Sequence, residues 1–158
     1  MAKKSKKKAA AQQKVAEEKK AEEEKRAEEK KAEEEKRADE KKAEKAKREA
    51  ELDDLATKFE NLYGRDTQKL EIWKQLCRDL GVVEGESIKK CKKNLRGVWV
   101  NIFDFIQDKE AGKPVRRCKS LTALRWYSIK NHKIFPLRKA KDNPLLRGLL
   151  VHMFGHIG

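Results

Sequence analysis

Ala21-Glu22-Glu23-Glu24-Lys25-Arg26-Ala27-Glu28-Glu29-Lys30-Lys31 returns eleven residues later as Ala32 to Lys42, with Asp39 in the place of Glu28. A degraded third copy starts at Ala43. Ala, Glu, Lys and Arg are among the strongest helix formers, and no Gly or Pro interrupts the chain from Met1 to Leu62. Glu22–Arg26, Glu33–Arg37 and Glu44–Arg48 are spaced i,i+4 with the acid N-terminal, the better orientation, each worth about 0.2–0.5 kcal/mol in an isolated helix. Repeated over about forty residues, such pairs offset the nucleation cost that defeats short helices.

The apolar content of this stretch decides what kind of helix it is. Its recurring apolar residue is only alanine, at 16, 21, 27, 32, 38 and 43. Spacings of five and six place successive alanines roughly 120–140° apart, on two faces and not along one seam. No Leu or Ile is present to fill a coiled-coil hole, although an eleven-residue period is that of a right-handed supercoil and the composition is coiled-coil-like. The expected state is a solvated single helix, with a disordered polyampholyte as the alternative.

Working outward, residues 1–50 hold 19 Lys/Arg and 14 Asp/Glu and no aromatic, with Met1 and Val15 the only large apolar side chains. Residues 51–158 hold 22 Lys/Arg and 13 Asp/Glu and all ten aromatics. The first segment cannot bury a core, whereas the second is long enough for one small domain. The expected division is therefore an arm over 1–50 and a domain over 51–158, all-α throughout. The 158-residue chain carries a formal charge of +14. No apolar run reaches the length of a membrane span and no apolar signal segment opens the chain, so neither membrane nor export is expected. Three widely spaced cysteines (Cys77, Cys91, Cys118) without a C-x-x-C pair fit reduced thiols in a cytoplasmic or nuclear setting.

The apolar spacing predicts a compact multi-helix domain. Leu52, Leu55, Phe59 and Leu62 give the end of the long helix an inward face, closed by Gly64. Asp66 is expected to cap a second helix with Leu70, Trp73, Leu76, Cys77 and Leu80 on one side, stopped by Gly81. Ser87 caps a third with Ile88, Cys91 and Leu95 inward, and Gly97 breaks the chain. Val98 to Ile106 reads as a buried helix from about Val100 or a short strand. Asp108 to Pro114 reads as a loop. Ser120 starts a helix whose apolar side is Leu121, Leu124, Trp126, Tyr127 and Ile129. A final helix begins at Asn143-Pro144 and carries Leu145, Leu146, Leu149, Leu150, Met153 and Phe154.

An ordered set of motifs runs through this domain: Asn61-Leu62-Tyr63-Gly64-x-Asp66, Trp73-x-x-Leu76-Cys77-x-x-Leu80, Cys91-Lys92-Lys93, Val100-Asn101-Ile102-x-Asp104, Ser120-Leu121-x-x-Leu124-x-x-Tyr127, Phe135-Pro136 and Leu145-Leu146-Arg147-x-Leu149-Leu150. Over about residues 56–151 it resembles a family of small proteins of filamentous fungi. The resemblance implies a helical fold and no catalytic residue. Members tend to carry an aromatic two residues before the Ser-Leu pair, where this chain has Cys118. The charged arm lies outside the resemblance.

No active-site constellation emerges. His152 and His156 are i,i+4, but two nitrogens are not a metal site, and the H-E-x-x-H pattern is absent. Ser87 and Ser120 are explained as helix caps. Cys118, between Arg116-Arg117 and Lys119, sits where basic neighbours would favour a thiolate. Asp104 and Asp108 read as a solvated helix edge. No catalytic, cofactor or metal residue is therefore assigned.

Charge is the stronger signal. Lys89, Lys90, Lys92, Lys93 and Arg96 form one basic cluster, Lys113, Arg116, Arg117 and Lys119 a second, and Arg138, Lys139 and Lys141 a third. The first eight residues add five lysines, a candidate import or nucleic-acid tail. Lys89, Lys90, Lys92, Lys93, Arg96, Arg116, Arg117 and Lys119 are the candidate phosphate-binding residues. Trp99, Trp126 and Tyr127 would stack on bases if exposed, but a domain this small is expected to need its aromatics inside. Two functions of different class follow. One is a non-enzymatic interaction or scaffold protein, monomeric, with the arm as spacer and an unidentified protein partner. The other is a basic protein holding RNA or DNA through its phosphates.

Overall fold

The computed structural model describes the backbone of residues 2–152 and the side chains of residues 11–151. Its helices are α1 (Ala2–Tyr63), α2 (Leu70–Asp79), α3 (Ile88–Leu95), α4 (Ile102–Glu110), α5 (Leu121–Lys130) and α6 (Pro144–His152), with a 3-10 turn at Leu137–Ala140. The described residues form no strand; Trp99 and Cys118 meet in an isolated antiparallel bridge. The chain divides into two compact units, residues 1–48 and 49–158. The boundary lies slightly earlier than the composition shift because Glu49 is tied to Arg138 at 2.5 Å and to Lys139 at 2.6 Å.

The described backbone of the first unit is helix, as expected from the repeat. Every described side chain from residue 11 to 47 is exposed, Val15 included. Arg26 closes on Glu22 at 3.0 Å and Arg37 on Glu33 at 2.8 Å, as their spacing requires. The side chains of the lysines at residues 3–8 lie outside the described residues.

In the second unit Leu52, Leu55, Phe59 and Tyr63 form the inward stripe. Tyr63 takes the place expected of Leu62, which is exposed. The reason is polar as well as steric: the Tyr63 hydroxyl donates to Asp79, and its ring stacks on Phe105 with centroids 5.8 Å apart. Burial and the Asp79 hydrogen bond push the Tyr63 phenol far above its ordinary range. Asp79 also holds Lys109 at 2.6 Å, linking α2 to α4. Gly64 ends α1 in the left-handed region (φ +71°).

Asp66 does not cap α2. Its carboxylate accepts from the Gln68 backbone N–H at 2.8 Å, which forms a turn ahead of the helix. Lys69 stands at the N-cap without a side-chain hydrogen bond. Gly81 (φ +62°) closes α2 in a Schellman arrangement, with Gly81 N–H to Arg78 O at 3.0 Å and Val82 N–H to Cys77 O at 2.9 Å. Ser87 and Ser120 cap α3 and α5, accepting from Lys90 N–H at 3.2 Å and Ala123 N–H at 3.1 Å.

Between Val98 and Ile106 the chain is extended first and helical second. Trp99 bridges to Cys118, and α4 starts at Ile102, two residues later than its expected onset. Asn101 sets that start. Its side-chain oxygen accepts from Phe103 N–H at 3.0 Å, while its amide donates to Ser128 Oγ and the Lys133 carbonyl, both at 2.9 Å. The expected loop from Asp108 is helical to Glu110. Asn143 starts α6 by accepting from Leu146 N–H at 3.0 Å, and its amide donates to the Gly64 carbonyl at 3.1 Å. Leu145, Leu146, Leu149 and Leu150 complete the core; Met153, Phe154 and His156 lie outside the described residues, as does the His152 side chain.

Candidate functional site

The surface of α3 follows from its eight-residue pattern. Ile88, Cys91 and Leu95 face inward, with Cys91 and Leu95 fully buried against α2. Lys89 and Lys93, one turn apart, lie on the opposite side with Lys90 beside them, and Arg96 follows at the extended C-cap position. All four are exposed and make no ion pair among the described residues. Lys92 lies at the edge of this face, its Nζ 4.8 Å from the centroid of the Trp73 ring. Cys91 is a packing residue: its sulfur accepts from Gly85 N–H at 3.3 Å. Burial, with Cys91 beside it, pushes the Cys77 thiol up to about 12.

The second basic cluster is not a free surface. Asp104 and Asp108, expected at a solvated edge, are buried. Arg116 grips Asp108 with Nε at 3.1 Å and Nη2 at 3.2 Å, and reaches Asp104 at 3.4 Å. Lys133 closes on Asp104 at 2.5 Å. Burial by itself would raise the Asp108 carboxyl; the Arg116 hydrogen bonds outweigh it and hold Asp108 below the usual carboxylate range. The same contacts raise Arg116 and Lys133, and a hydrogen bond to Asp104 raises the Tyr127 phenol. A buried carboxylate needs such partners, and two guanidinium or ammonium groups supply them. Arg117 hydrogen-bonds the Leu80 carbonyl at the end of α2, neutralising a helix C-terminus. Of that cluster's candidate residues, Arg116 and Arg117 are exposed at the surface but hold partners within the fold, whereas Lys119 is exposed with no ion pair or side-chain hydrogen bond among the described residues.

Two of the three residues of the third cluster are engaged in the same way, and Lys141 is exposed without an ion pair among the described residues. Lys139 bridges Glu49 and Asp53 at 2.6 and 2.7 Å, and Arg138 joins Glu49. Hydrogen bonds from Lys139 and Arg138 lower the Glu49 carboxyl to about 2.

Cys118 is not the activated thiol its basic neighbours imply. It is half-buried, and burial together with the nearby Asp104 charge raises it above the ordinary range. Arg116 and Arg117 turn toward other partners, so their charge does not favour a thiolate here. Among the described residues no group of three His, Cys, Asp or Glu side chains is placed to hold a metal ion.

The aromatics divide. Trp73 is buried, its indole N–H donating to the Thr67 carbonyl at 2.9 Å. Trp99 is half-buried. Trp126 is 69% exposed on α5, and Ile129 is 54% exposed one turn on, against the expectation that both line the core. The signal for this was in the helix itself: Leu121, Leu124, Trp126, Tyr127 and Ile129 spread around too much of the circumference to face one way. Leu124 and Ser128 take the inward positions instead.

No family model, no curated protein and no solved structure matches this chain.

Proposed function

We propose that this protein is a non-enzymatic interaction protein: the unit of residues 49–158 binds a protein partner, and the charged helix of residues 1–48 is a spacer. The observation that carries this reading is the complete exposure of residues 11–47 in a continuous helix. A helix with no apolar stripe has nothing with which to pack on a neighbour, and at ~1.5 Å per residue it supplies reach. The polar clusters of the second unit support the reading from the other side. Asp104, Asp108, Arg116 and Lys133 saturate one another, which is what a structural network does. Residues 56–151 are taken as related to the small fungal proteins, on the ordered motifs of the sequence.

A second reading is favoured by one feature, the unpaired basic face of α3. Lys89, Lys90, Lys93, Arg96 and, from the next cluster, Lys119 would contact phosphates without reading sequence. Affinity capture with the full chain as bait, with and without nuclease, separates the two. Protein partners retained after nuclease treatment support the first reading. Partners lost on nuclease treatment, together with micromolar binding to RNA or duplex DNA that falls steeply with salt, support the second.

A further inference from the structure

We infer that the outer face of α5 is a docking surface for an acidic amphipathic helix of a protein partner. The inference rests on the interaction reading above and names the partner's chemistry. At about 100° per residue, Leu124 and Ser128 point inward, while Thr122, Trp126 and Ile129 fall on the opposite side. Arg125 flanks this ridge on one side and Lys130 on the other, both exposed and without an ion pair among the described residues. Among the described residues, the other exposed large apolar side chains of the second unit are scattered, Leu62 on α1, Val83 in a loop and Val151 on α6. Among the described residues, Trp126 and Ile129 are the exposed large apolar pair that sits one turn apart on one helix.

Charge complementarity selects the occupant. From Ala111 to Lys141 the chain contains ten Lys or Arg and no Asp or Glu. The acids of α4 and α1 take up Arg116, Lys133, Arg138 and Lys139, and Arg117 turns to the Leu80 carbonyl, leaving Lys113, Lys119, Arg125, Lys130 and Lys141 exposed without an ion pair among the described residues. A tryptophan and an arginine side by side are the residue types that dominate binding energy at protein interfaces. Ile129 favours a protein over nucleic acid, because an aliphatic side chain packs on another but has no face on which a base can stack. The chain's own arm does not fit: its described residues 11–48 offer no large apolar side chain except Val15 to cover the indole.

The test is an NMR titration of the full chain, following the three indole N–H resonances. The probe is a designed helical peptide of Glu and Leu with Leu at i, i+3, i+4 and i+7; a control has the same composition with the Leu residues dispersed. Loss of one resonance in Trp126→Ala assigns it, and that exposed substitution leaves the fold intact by its thermal transition. The expected result is a shift of the Trp126 resonance with micromolar affinity, at least tenfold weaker for the dispersed control. Trp126→Ala and the pair Arg125→Glu with Lys130→Glu each lower affinity for the ordered peptide at least tenfold. Equal binding of both peptides, or no shift, overturns the inference. So does a Trp126 shift with a single-stranded oligonucleotide or with phosphatidylserine vesicles but not with the ordered peptide. A nuclease-resistant partner captured equally well by Trp126→Ala overturns the α5 face while leaving the interaction reading standing.

Discussion

Asn101→Ala is the most informative single substitution in the compact unit. The side chain is almost fully buried and makes three hydrogen bonds to three separate places: Phe103 N–H at the start of α4, Ser128 Oγ inside α5, and the Lys133 carbonyl beyond α5. Loss of a side-chain N-cap costs about 1 kcal/mol. Each of the other two bonds contributes about 1 kcal/mol net, and their buried partners are left unsatisfied. The expected destabilisation is about 3 kcal/mol, or a fall of about 12 °C in Tm for a unit of this size. Urea unfolding followed by tryptophan fluorescence, together with calorimetry, measures both. Ser128→Ala removes one of the three bonds and costs about 1 kcal/mol. Because that bond is shared, the double mutant is less destabilised than the two singles combined, by about 1 kcal/mol. A cost below about 1 kcal/mol for Asn101→Ala, or strict additivity with Ser128→Ala, refutes the assignment of Asn101 as the tie between α4 and α5.

Four further outcomes are expected. Phe59→Ala, at a fully buried site under α1, destabilises the second unit by about 3–5 kcal/mol in urea unfolding. Gly81→Ala forces a side chain into φ +62° with its Cβ 2.7 Å from the Arg117 guanidinium, and costs about 1 kcal/mol or more by the same measurement; Arg117→Ala relieves the contact but not the backbone strain. Glu49 has a folded-state value of about 2 against 4.5 unfolded, so its stabilisation is full above about pH 4.5 and is lost as pH falls through about 2; Glu49→Gln flattens that part of the acid stability curve. Cys118 reacts with iodoacetamide at pH 8 more slowly than a free thiol, since its raised value leaves less thiolate, and Cys77 is slower still.

Much of the fold was legible because it depends on local chemistry. The repeat of Glu, Lys, Arg and Ala announced a seamless helix, and Gly64, Gly81, Ser87, Ser120 and Asn143 marked boundaries through conformations and hydrogen bonds reaching only a few residues. What escaped depends on partners distant in sequence. Tyr63 displaces Leu62 from the core because Asp79 awaits its hydroxyl, and Asp66 serves a turn because Gln68 is nearer than the helix. Asp104 and Asp108 are buried because Arg116 and Lys133 come back to meet them, which no spacing within α4 reveals. The candidate basic residues divide on the same principle. Those of α3 are surface by helical phase alone, whereas Arg116 and Arg117 find acceptors that only the folded chain supplies.

The most direct measurement is the far-UV circular dichroism of the full chain minus that of residues 49–158 alone, over a hundredfold range of concentration in low salt. The expected difference spectrum is that of an α-helix, its amplitude independent of concentration, because every side chain from residue 11 to 47 is exposed in the chain and the repeat offers no apolar seam for a second copy. A difference spectrum of random coil, or helical signal that grows with concentration, contradicts it.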